Sequence, residues 1–152
     1  MQNTRILLIF LFSAFLILNG CEKTKSQPQP KAEQNTQQQA AITNISVQEA
    51  YKMIQDKPDM YIIDVRTPGE YTDNLGHISN SHLMPVQEIQ KWAPKISELK
   101  DQKVMLICRS GARSSFAAKT LEKQGFIKLY NVEGGMLAWN AAKLPVAEPA
   151  KP

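Results

Sequence analysis

The stretch Val104-Met105-Leu106-Ile107-Cys108-Arg109-Ser110-Gly111-Ala112-Arg113-Ser114 constrains this chain more than any other. Four apolar residues, β-branched at both ends, run straight into a cysteine and a short cationic loop. Apolar residues at every position, rather than every second one, predict a strand covered on both faces, as in a parallel sheet. Beyond the loop, Ser114 to Gln124 reads as a helix, with Phe116, Lys119-Thr120 and Leu121 along one stripe and Gly125 as the stop. Strand, tight loop and helix in that order aim the loop N–H groups and the helix N-terminus at whatever lies over the loop, where they favour an anion. Arg109 and Arg113 add positive charge to the same place.

The rest of the domain repeats this alternation. Ile42 to Ile45 suits a first strand, and Ser46-Val47-Gln48-Glu49 has the capping-box spacing that starts a helix from Val47 to about Gln55. Met60 to Val65 is a second buried strand with Asp64 near its carboxyl end, the edge where ligands bind in open parallel sheets. Thr67-Pro68-Gly69-Glu70 is another capping box, with proline where its missing N–H costs nothing. Arg66 and Glu70, four apart, are spaced to pair on that helix. Leu83-Met84-Pro85 suits a third strand; Val86, Ile89, Trp92, Ile96 and Leu99 suit core-facing helical turns broken at Pro94. Ile127 to Val132 contains the last strand. The helix Met136 to Ala142 follows, with Met136, Leu137 and Trp139 in the core, and Pro145 ends it. Gly134-Gly135 at that join implies positive φ or a close backbone approach, with the Cys108 loop as the expected neighbour. The pattern predicts one α/β domain over residues 42–147, a doubly wound, mostly parallel sheet with helices on both faces, and a tail over 148–152.

The region before the domain has a different character. Arg5 and the apolar run Ile6 to Leu18, interrupted only by Ser13, are too short for the ~20 residues of a stable membrane span and read as an export signal over residues 1–20. Leu18-Asn19-Gly20-Cys21 resembles a bacterial lipobox, which makes Cys21 a lipidation site and the chain an exported protein anchored in the cell envelope; an ordinary secretory signal is the alternative. Residues 21–41 are the lipidated cysteine and a Gln-, Pro- and Lys-rich tether without aromatic residues, too polar to order itself and spanning ~25 Å as a flexible coil. The net charge of +4 is spread along the chain with no basic cluster, which gives no footprint for nucleic acid.

With Cys21 lipidated, Cys108 is the sole free thiol, and no intramolecular disulfide is available to it. An unperturbed thiol of pKa ~8.5 is only about 3% thiolate at neutral pH, and a shift to ~6.5 takes ~2.7 kcal/mol. Loop amides, the helix N-terminus and two arginines are placed to supply it without a histidine base. His77 and His82 each suit a hydrogen-bonded structural group better than a base, and no second ligand stands at metal-site spacing from either.

Asp64-Val65-Arg66 with Glu70-Tyr71, Gly76-His77-Ile78, the Cys108 to Ser114 loop, and Glu133-Gly134-Gly135 with Ala138-Trp139 resemble, in order and spacing, the motifs of the single-domain rhodanese family of sulfurtransferases. The similarity spans about Ile42 to Val146. It implies a Cys108 nucleophile that carries a persulfide and needs neither cofactor nor metal. The partners implied are a small anionic sulfur donor such as thiosulfate and a thiol or cyanide acceptor, with a protein acceptor open. Arg109, Ser110, Gly111, Ala112, Arg113 and Ser114 are then the donor-binding loop, and Asp64, Arg66, Glu70, Gly134 and Gly135 support it. Two roles suit Arg113: neutralising the donor or bracing the loop. The segment between Tyr71 and Gly76 is two residues longer than the family's commonest spacing, and Asn80 and Leu83 replace its usual Gly and Asn, which bears on substrate choice.

Two other classes compete. Cysteine-arginine loops also serve phosphatases, which place arginine six positions after the cysteine; here Ser114 stands there and Arg113 one earlier, a loop sized for sulfur rather than phosphate. A persulfide carrier or thiol-redox partner of another envelope protein needs the same loop as a free-turnover enzyme.

Overall fold

The computed structural model describes residues 41–147; the expected export signal, the lipidation site Cys21, the tether up to residue 40 and the tail lie outside the described residues. Five strands, β1 (Ala41–Ile45), β2 (Tyr61–Asp64), β3 (His82–Leu83), β4 (Lys103–Ile107) and β5 (Lys128–Val132), form one parallel sheet in the order β1-β5-β4-β2-β3. Between them run α1 (Val47–Asp56), α2 (Pro68–Tyr71), α3 (Ile89–Trp92) and α4 (Ala112–Lys123), and α5 (Gly135–Ala141) follows β5. Tighter 3-10 turns at Val86–Glu88 and Ala93–Leu99 flank α3. No helix among the described residues is long and apolar enough to cross a membrane.

Alternation along β4 divides the core in two. Val104, Leu106 and Cys108 pack toward α3 and α4, with Trp92, Ile96, Ala117, Ala118 and Leu121. Met105 and Ile107 pack on the opposite face, with Val47, Ala50, Met136 and Trp139 from α1 and α5. The central strand is thus dry on both sides, as its unbroken apolar run requires. Both capping boxes form: Ser46 Oγ accepts from Glu49 N–H at 3.2 Å and Thr67 Oγ1 from Glu70 N–H at 3.4 Å, with each glutamate returning to the cap. Gly125, at φ 94°, ends α4 in the left-handed conformation expected of a terminating glycine.

Four expectations are corrected. Helix α4 starts at Ala112, two residues early, because left-handed Gly111 is its cap. Its buried stripe is Ser114, Ala117, Ala118 and Leu121, spaced i, i+3, i+4 and i+7, so small alanines set the helix close on the sheet and Phe116 is 59% exposed. On α5, Met136 and Trp139 face the sheet while Leu137, a third of a turn away, is 45% exposed. The third strand is only His82–Leu83, because the chain turns at Pro85 into the 3-10 segment.

Candidate active site

Strand β4 delivers Cys108 to the carboxyl edge of the sheet at its centre, and α4 begins four residues later. The thiol is buried, with 0% exposure. Gly111 N–H donates to Cys108 Sγ at 3.1 Å, and Ser114 Oγ lies 3.5 Å from the sulfur and 3.0 Å from the Gly111 carbonyl. A hydroxyl has one proton, so Ser114 serves either the carbonyl or the sulfur, and a thiolate draws it to the sulfur. Burial pushes the Cys108 thiol up. Hydrogen bonds from the Ser114 side chain and from the backbone of Ser114, Ser110 and Gly111 more than offset this, so its pKa lies below the ordinary thiol value. The otherwise unpaired N–H groups at the start of α4 are thus turned on the sulfur.

The loop is held from behind by α5. Met136 N–H donates to the Cys108 carbonyl at 2.8 Å and Leu137 N–H to the Arg109 carbonyl at 3.0 Å. That approach needs glycine at 135: φ is 54°, and a Cβ would overlap the Cys108 carbonyl and lie 2.7 Å from the Arg109 carbonyl carbon. Gly134, at φ 74°, caps the helix. Gly135 therefore makes the close approach to the cysteine loop, and both glycines the positive φ, that their pairing implied.

The loop's arginines turn to carboxylates rather than to the sulfur. Arg113 makes a two-pronged bridge to Glu70, with Nη1 donating to Oε2 at 2.7 Å and Nη2 to Oε1 at 2.6 Å. The Arg113 guanidinium holds Glu70 down at about 2, and the pairing raises Arg113. Both terminal nitrogens of Arg113 are thus engaged by Glu70. Arg109, 46% exposed, reaches Asp73 at 3.3 Å.

Arg66 is fully buried with Asp64, its Nη2 2.8 Å from Oδ2. It donates to the Glu70 carbonyl and the Gly76 carbonyl, each at 2.7 Å. The expected side-chain pairing of Arg66 with Glu70 does not form, because Asp64 is closer and Glu70 is taken by Arg113. Two buried charges that satisfy each other and two carbonyls are a rigid clamp on the segment carrying Glu70 and Asp73. His77 stacks on Tyr71 at 3.8 Å, its Nδ1 3.2 Å from the Tyr71 carbonyl, and His82 stacks on Tyr61 at 4.4 Å. Both histidines have structural partners. Ser110 and Ala112 are exposed on the loop rim.

This sulfur-centred loop at the edge of a five-stranded parallel sheet has a family. The sequence profile of the rhodanese-like domain matches residues 46–142. The chain belongs to the rhodanese family. A protein named "Sulfurtransferase" from Allochromatium vinosum is 33% identical over 109 residues, covering 71% of this chain and 97% of that one. "Putative sulfur carrier protein YrkF" of Bacillus subtilis is 34% identical over 107 residues, and the match spans 70% of this chain but only 56% of that protein. Among solved structures, the polysulfide-sulfur transferase homodimer of Wolinella succinogenes is similar at 32% identity and a TM-score of 0.62, covering 74% of this chain and 83% of that one. In this rhodanese domain the sequence expectation missed Asp73 as the partner of Arg109. The contact joins residues 36 positions apart, and no local pattern announces it.

Proposed function

We propose that this rhodanese is a sulfurtransferase working through a Cys108 persulfide, with thiosulfate or a similar sulfane-sulfur compound as donor. The observation that carries the reading is a single buried thiol whose sulfur accepts from Gly111 N–H and lies beside the Ser114 hydroxyl, with its pKa lowered. Those donors suit an anion on sulfur. In the first displacement the Cys108 thiolate attacks the outer sulfur of thiosulfate. A Sγ–S bond forms, the donor's S–S bond breaks, and sulfite leaves with the bonding pair. The terminal persulfide sulfur carries the negative charge and lies where the loop donors stabilise it. In the second displacement a thiolate or cyanide attacks that terminal sulfur, and the Cys108 thiolate returns as leaving group. Arg109 and the loop amides receive the anionic donor, while Arg113 and Glu70 hold the loop's shape.

Purified protein given thiosulfate and cyanide should release thiocyanate over many turnovers, and Cys108→Ser should release none. Absence of thiocyanate from the wild type counts against free turnover. The likeness to a protein named as a sulfur carrier supports a second reading, in which Cys108 loads once and passes sulfur to a protein acceptor. Loading without thiocyanate release separates that reading from the first.

The proposal includes an exported, envelope-bound protein held by lipid on Cys21, on the strength of the lipobox-like Leu18-Asn19-Gly20-Cys21. Acyl chains contribute ~0.8 kcal/mol per buried CH₂, and more than one is needed for stable anchoring. Labelled palmitate should enter the full chain expressed in a bacterium and be lost in Cys21→Ala; equal labelling of both would overturn the anchor.

A further inference from the structure

Both cations of the cysteine loop are matched by carboxylates on one short segment, but the two pairs are unlike. Arg113 and Glu70 make a bidentate contact, 32% and 24% exposed. Arg109 and Asp73 make a single contact at 3.3 Å, with the arginine 46% and the aspartate 25% exposed. The first is a fixed brace. The second is a weak, solvated pair that an incoming anion can replace.

Asp73 is itself held in place. Its Oδ1 accepts from Leu75 N–H at 2.8 Å and lies 3.8 Å from Nη1 of buried Arg66, while its backbone carbonyl accepts from Gly76 N–H at 3.0 Å. Its Oδ2 is the atom left to meet Arg109. The carboxylate therefore stays where it is when Arg109 moves, and it goes on opposing negative charge at the rim of the loop.

We propose that Asp73 is a positioning residue that sets donor choice by charge: it competes with the anionic donor for Arg109 and selects against the more highly charged donors. The inference rests on the sulfurtransferase reading and extends it to a substrate class, favouring singly charged sulfane-sulfur donors over doubly charged ones. In the resting enzyme Arg109 is neutralised by Asp73. A donor anion must take the guanidinium from the carboxylate, a cost that is the same for any donor, and then sit near that carboxylate's charge, a cost that rises with the donor's own charge.

Asp73→Asn separates this role from a structural one, because asparagine keeps an oxygen acceptor for Leu75 N–H while the charge and the oxygen facing Arg109 are both removed. The assay compares KM and kcat for thiosulfate, a dianion, with those for methanethiosulfonate, a monoanion, in wild type, D73N, R109Q and the double variant. From the usual size of exposed ion pairs, D73N should lower the thiosulfate KM about two- to five-fold. It should lower the methanethiosulfonate KM less, and change kcat for either donor less than KM. The gain should shrink in high salt. R109Q should raise the thiosulfate KM, and adding D73N to it should recover less than D73N gains alone. Equal KM changes for both donors, a fall in kcat alone, or full additivity with R109Q would overturn the inference while leaving sulfur transfer intact. A wild type that takes no sulfur from either donor would remove the sulfurtransferase reading and this inference with it.

Discussion

Glu70→Gln tests the brace under the cysteine loop with little else disturbed. Glutamine at the third helical position keeps one oxygen for the Thr67 cap, so the capping box of α2 survives, while the charge facing Arg113 and one of the two oxygens it binds are lost. In the folded protein the Glu70 carboxyl sits at about 2, principally because Arg113 binds it. An unfolded glutamate has a pKa of ~4.3, and at ~1.36 kcal/mol per unit the difference sets a ceiling of about 3 kcal/mol. Glu70 and Arg113 are 24% and 32% exposed, and solvent screening brings the pair to about 1–2 kcal/mol. Because the folded pKa is depressed, this contribution is fully present above the unfolded value and is lost as pH falls from ~4.3 toward the folded value. Urea unfolding of wild type and E70Q should therefore differ by about 1–2 kcal/mol at neutral pH. The difference should close steadily below a pH of ~4.3. A gap that stays constant into acid would refute the ion pair as its cause. So would an E70Q protein as stable as the wild type at neutral pH.

Two other substitutions probe the sulfur and the backbone behind it. Ser114→Ala removes the hydroxyl 3.5 Å from Sγ, one of the groups that lower the thiol, so the Cys108 pKa should rise. The pH midpoint of iodoacetamide alkylation should move up accordingly, and an unmoved midpoint would assign the thiol's acidity to the amides alone. Gly135→Ala should cost about 2 kcal/mol or more in urea unfolding and slow sulfur loading, since a left-handed residue costs ~1–2 kcal/mol and its Cβ also meets the Cys108 carbonyl. Gly69→Ala, with nothing within 4 Å of its Cβ, is the matched control and should not destabilise.

What the residues announce in advance is what depends on neighbours in the chain. The dry strand before Cys108, both capping boxes and the glycine pair at 134 and 135 follow from local spacing and steric limits, and together they place the cysteine loop. Exposure of Phe116 and Leu137 does not follow in that way. Each lies one position off a stripe whose phase is set by how closely alanine-bearing or tryptophan-bearing helices pack on the sheet. The charge pairing is harder still to read. Arg66, Arg109 and Arg113 have Asp64, Glu70 and Asp73 within reach, and the local i, i+4 rule assigns Glu70 to Arg66. Only the fold, joining positions 43 and 36 apart, gives Glu70 to Arg113 and Asp73 to Arg109.

Intact-mass spectrometry of the purified protein, after brief incubation with thiosulfate and removal of the excess, reads the Cys108 persulfide directly. The expected result is the mass of one added sulfur atom, mapped to the peptide carrying Cys108, discharged by cyanide and absent from Cys108→Ser. An unmodified wild type, or sulfur that still appears in the serine variant, would contradict it.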